Sequence, residues 1–239
     1  IYELHIGTFT HEGTFDAAIR RLPELKELGI TAIEIMPVAA FSGTRNWGYD
    51  GAYPFAVHSA YGGPDGLRRF AAACHSHAMA LILDVVYNHL GPEGTHLAEF
   101  GPYFSPYHRT PWGDAINISG PHSDDVRKFF IESALYFITH IGIDALRLDA
   151  VNAIVDTSPR PFLEELAEVM HRRGGELGRQ VFLFAESDDN DPRHVKPASQ
   201  GGHGLDALWN DDFHHALLAL LTTERTGPLV DFGRVEHLA

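Results

Sequence analysis

Three runs of this chain, 80–86, 143–149 and 181–186, are almost continuously apolar, and each carries a carboxylate at its C-terminal end: Asp84, Asp149 and Glu186. A strand that is apolar on both faces must be covered on both, which a parallel sheet flanked by helices achieves. Segments of helical periodicity separate the runs, as with Val126, Phe129, Phe130, Ala134 and Phe137 before 143–149. The order is therefore βαβα, and the polar groups gather where parallel α/β folds place their chemistry.

The remaining elements extend the pattern. Residues 1–6 and 30–36 read as the first two strands, with 15–28 as a helix that Pro23 kinks or restarts and Gly29 stops. Pro64 and Asp65 open the next helix, and 80–86 is the third strand. A connection over about 88–121 follows, with little regular structure that the pattern reveals and far longer than an ordinary βα loop, so a functional role is expected of it. After the fourth strand come a helix over 162–170, the strands 181–186 and 205–209, and a helix over 212–223. The fold expected is a (β/α)8 TIM barrel with about its first six βα units present, forming one domain over 1–239 with the 88–121 insertion after the third strand.

The balance of charge excludes several function classes. A formal net charge of -14, without a basic stripe, opposes nucleic-acid binding. Neither a long apolar run nor a signal peptide is present, so no membrane association is expected. Cys74 is the only cysteine, which suits a reducing, cytoplasmic setting. The 16 histidines are scattered, and neither a metal site nor a cofactor is expected.

In a strand, residues two apart share a side, so Arg147 and Asp149 face one way and Leu146 and Leu148 the other. Asp149 and Glu186 end successive strands, the placement glycoside hydrolysis by nucleophile and acid requires. Arg147 would keep Asp149 ionised, while Glu186, beside Phe184, could hold its proton. The alternative is a structural Arg–Asp pair and a solvated strand-end Glu. Asn88 and His89 could likewise bond sugar hydroxyls or simply cap their loop.

Asp84-Val-Val-Tyr-Asn-His89, Leu146-Arg-Leu-Asp149 and Ala185-Glu186 resemble, in order, the first three signatures of the α-amylase superfamily, glycosyl hydrolase family 13. The resemblance implies Asp149 as nucleophile, Glu186 as general acid/base and Arg147 as the group orienting the nucleophile. It also implies Asp84 and His89 as lining of the sugar subsite, Asn88 as the holder of their loop and Tyr49 as a sugar-stacking ring. Packing beside Trp47 is the alternative for Tyr49.

Two further stretches, 185–193 and 209–215, are similar to the maltooligosyltrehalose trehalohydrolase branch of that superfamily. Residues 3–15 and 46–51 are similar to both that branch and the glycogen branching enzymes. By this likeness Asp188, Asn190, Asp211 and Asp212 contact the trehalose end of the substrate, with helix capping as the alternative for each. Of the adjacent His214 and His215, at most one is expected to reach the cleft.

The superfamily's fourth signature, a His-Asp pair, is absent, so further parts of a longer chain are expected. The expected partner is maltooligosyltrehalose or a related α-glucan, cleaved with retention next to the terminal trehalose. Glucan branching and non-catalytic glycan binding are the alternatives.

Overall fold

The computed structural model describes residues 1–238. Six strands form one parallel sheet: β1 (Tyr2–Leu4), β2 (Ala32–Ile35), β3 (Ala80–Val85), β4 (Ala145–Leu148), β5 (Phe182–Ser187) and β6 (Ala207–Asn210). Spatial order equals sequence order, and all five pairings are parallel. That winding, with no reversal of strand order, is that of a barrel rather than of a doubly wound open sheet. Six successive units of a (β/α) barrel are present, and β1 and β6 do not pair with each other among the described residues.

Helices α1 (Phe15–Ile19), α2 (Leu22–Glu27), α3 (Gly63–Ser76), α4 (Ser123–Tyr136), α5 (Phe162–Glu176) and α6 (Asp211–Leu221) complete the units. Pro23 restarts the first helical segment, entering the first turn of α2, where its missing N–H costs no helix bond. Strand alternation divides the core. Ile33, Ile35, Leu81, Leu83, Leu146 and Leu148 are buried toward the helices, where they meet Leu67, Phe70, Phe130 and Leu166. Glu34, Ile82, Asp84 and Arg147 occupy the opposite parity on their strands, the inner face of the sheet.

Two expectations needed correction. The first strand stops at Leu4, because Ile6–Phe9 turns helical and buries Ile6. The 88–121 connection is not irregular throughout: Phe104–Thr110 and Gly113–Ile116 form an antiparallel ribbon, closed at its tip by an Arg109–Asp114 ion pair. Its first strand exposes Pro106, Tyr107, His108 and Arg109 in succession, so no period-2 alternation marked it. Among the described residues no helix is long and apolar enough to cross a membrane.

Candidate active site

The pairing of β3 with β4 sets Asp84 beside Arg147, and this register builds the floor of the site. Arg147 donates from Nη1 to Asp84 Oδ2 and Asp149 Oδ1, each at 2.8 Å, while its Nη2 lies 3.5 Å from Glu186 Oε2. One guanidinium thus gathers three carboxyl groups, and the Asp84 side chain is fully buried beneath it. The Tyr49 hydroxyl donates to the same Asp84 oxygen at 3.0 Å.

Asp149 is held on both oxygens. Arg147 takes Oδ1, and the Asn88 amide donates to Oδ2 at 3.0 Å and to the Asp149 backbone carbonyl at 2.9 Å. The Asn88 side-chain oxygen is bonded to His89 Nδ1, and the His89 ring stacks on Trp112 with centroids 5.5 Å apart. Directly after Asp149 the chain enters a left-handed turn at Ala150, φ 41°, a conformation disfavoured for a residue with a Cβ. The turn aims the Ala150 N–H at Glu186 Oε2, 2.7 Å away.

Charge is distributed unevenly over this cluster. Burial raises the Glu186 carboxyl above its ordinary value, offset in part by the Ala150 N–H and the Arg147 cation, so it keeps its proton to higher pH. Asp84 is pushed up to about 8, chiefly by burial, against the opposing pull of Arg147. Burial lowers His89 and favours a neutral ring. The Arg147 guanidinium stays protonated, since its carboxylate neighbours outweigh its desolvation.

A cleft of about 500 Å³ opens above this floor, lined by Tyr49, His89, Trp112, Asp149 and Glu186 together with Asn152, Asp188 and Asp211. Asp84 lies beneath it, not on its wall. Around the rim, Asn152 donates to Asp188 at 2.6 Å, and Asn190 donates to Asp212 at 2.6 Å from a left-handed backbone, φ 52°. Asn210 bonds Asn190 and caps α6 by accepting from the Phe213 N–H at 2.7 Å. Asp188 and Asp211 face the cleft, whereas Asn190 and Asp212 are bound to each other. His214 borders a neighbouring cavity, while His215 packs on Phe232.

Sequence reasoning missed Glu34, Ala150 and Asn152. Glu34 had a signal, a single acid inside the apolar run Ala32-Ile-Glu-Ile-Met36. Asn152 and the turn at Ala150 had none, because the first depends on Asp188 across a loop and the second on backbone geometry.

A carboxylate that lines the cleft, beside a carboxyl that burial helps to keep protonated, is an arrangement that can displace a leaving oxygen from carbon while protonating it. Fold and site together are those of a parallel (β/α) barrel that brings two carboxyls, Asp149 and Glu186, to one cleft. Residues 5–103 match the family model described as the α-amylase catalytic domain. A malto-oligosyltrehalose trehalohydrolase of Mycobacterium tuberculosis is 53% identical over 239 residues, covering 100% of this chain and 41% of the relative. A 1,4-alpha-glucan branching enzyme of Marinobacter nauticus is 30% identical over 254 residues, covering 92% and 39%. A crystal structure from Salmonella typhimurium that bears the alpha amylase name superposes with a TM-score of 0.88 at 43% identity, covering 100% of this chain and 41% of that one. The chain belongs to the α-amylase superfamily, and relatives named malto-oligosyltrehalose trehalohydrolase match it at 41% to 53% identity. It spans about 41% of the length of those relatives.

Proposed function

We propose that residues 1–239 form the catalytic barrel segment of a retaining glycoside hydrolase, roofed by the 88–121 connection. It cleaves the α-1,4 bond next to the terminal trehalose of maltooligosyltrehalose and releases trehalose, a cytoplasmic route from glucans to that sugar. The observation that carries this reading is the shared guanidinium. Arg147 bonds Asp149 on one side and lies within 3.5 Å of Glu186 on the other, so the two carboxyls converge on one cleft.

Asp149 attacks the anomeric carbon while Glu186 protonates the departing glycosidic oxygen. Glu186 then removes a proton from water, which opens the glycosyl-enzyme ester. Arg147 and Asn88 orient the nucleophile, Tyr49 and His89 pack against the sugar, and Asp188, Asn190, Asp211 and Asp212 serve the trehalose end. Asp84 supports the sugar subsite from below by fixing Tyr49 and Arg147. No step requires a metal or an organic cofactor.

Product analysis with the full-length protein and maltooligosyltrehalose tests the reading. Trehalose and a shortened glucan are the expected products, and Asp149→Asn and Glu186→Gln each lower turnover by at least about a thousand-fold. New α-1,6 branches without trehalose would assign the protein to the branching reaction, which shares the first step. Binding without turnover would leave only a glycan-binding barrel.

A further inference from the structure

Glu34 is the one acid on the inner face of β2, flanked by Ile33 and Ile35, which are fully buried on the other side. It is 2% exposed, and no hydrogen bond reaches its buried Oε2 among the described residues. An unpartnered carboxyl in that position is costly and calls for a physical role. Its side chain borders the same cavity, about 610 Å³, as Arg147, Glu186 and Asp211. The catalytic scheme above leaves it unused.

We propose that Glu34 is a positioning residue for the reaction: from the inner face of β2 it competes for the Arg147 cation and thereby keeps the proton on Glu186. Arg147 already serves Asp84, Asp149 and Glu186, so a further negative charge on its field weakens what it can offer Glu186. Among the described residues the groups facing Glu34 are few. Glu3 on β1 opposes its ionisation, and Arg147 on β4 favours it. Asp84 on β3 is occupied by Arg147, and Glu186, Asp211 and His214 border the shared cavity. Burial, the largest influence, raises the Glu34 carboxyl to about 7, so its charge develops in the range where a general acid must still hold its proton.

The inference rests on the hydrolase reading for its function but not for its measurement. In the full-length protein, kcat/KM against pH is compared between wild type and Glu34→Gln, with Glu34→Met as a second neutral variant should the first fail to fold. The alkaline limb is expected to move to lower pH by about half a unit, since loss of the competing charge lets Arg147 draw the proton off Glu186 earlier. Glu34→Asp, which keeps the charge, is expected to leave the limb near its wild-type position. Superimposable limbs in wild type and a folded neutral variant would overturn the proposal. If no α-glucan is turned over, the hydrolase reading fails alone: the ¹³Cδ signal of Glu186, assigned by its loss in Glu186→Gln, then reports the same shift, and an unchanged titration refutes the role of Glu34.

Discussion

The floor and the rim of the cleft are both built from acids and amides, yet they obey different physics. On the floor, Asp84, Arg147, Asp149 and Asn88 sit on or just beyond adjacent strands and are largely withdrawn from solvent, with side-chain exposures of 0%, 15% and 13% for the three charged groups. There a charge cannot be removed without stranding its partner. On the rim, Asn190 is exposed, Asn210 and Asp212 are half-buried, and the three are bonded mainly to one another, where water can replace a lost bond. The same residue types thus confer rigidity in one place and adjustable recognition in the other.

Arg147→Met should break the contrast most severely. It strips the Asp84 and Asp149 carboxyls of their shared donor and costs about 3–5 kcal/mol, measurable by denaturant unfolding, besides abolishing activity. A loss below about 1 kcal/mol would mean that the floor is as well solvated as the rim.

The next effect is a dependence of stability on pH. Glu34 has a folded value raised to about 7 against an ordinary 4.5, so the folded state binds its proton more tightly than the unfolded chain. The stabilisation is complete below about pH 4.5 and disappears as pH rises through 7. Relative to Glu34→Gln, wild type should lose up to roughly 3 kcal/mol across that window, followed by chemical denaturation at each pH. A constant difference between the two proteins would show that Glu34 is better solvated than its burial implies.

Asn190→Ala is expected to do least to the fold. Removing exposed bonds to Asp212 and Asn210 should cost less than about 1 kcal/mol while raising KM for trehalose-terminated substrates, with kcat nearly unchanged. Equal losses of stability from Asn190→Ala and Arg147→Met would erase the distinction between the two regions.

The floor was legible in the sequence because burial and chemistry coincide there. A strand with alternating Leu and charge announces both its facing and its partner, and Asp84, Arg147, Asp149 and Glu186 all end strands that the apolar pattern located. The rim was legible only as acids and amides in loops, since which of them face the cleft depends on turns such as the one at Asn190. The Phe104–Ile116 ribbon escaped for a related reason. Its pairing is satisfied along an exposed backbone, so no hydrophobic alternation records it. Glu34 was visible only as a single acid in an apolar run, and its burial on a cavity shared with Arg147 gives it meaning.

The left-handed turn at Ala150 also makes the two oxygens of Glu186 unequal. Glu186 has two oxygens, and Oε2 already accepts from the Ala150 N–H and faces the Arg147 guanidinium. An oxygen surrounded by donors is a poor place for a hydrogen, so the acidic proton resides on Oε1. The peptide that follows Asp149 therefore selects which oxygen of the neighbouring carboxyl is free to carry a hydrogen.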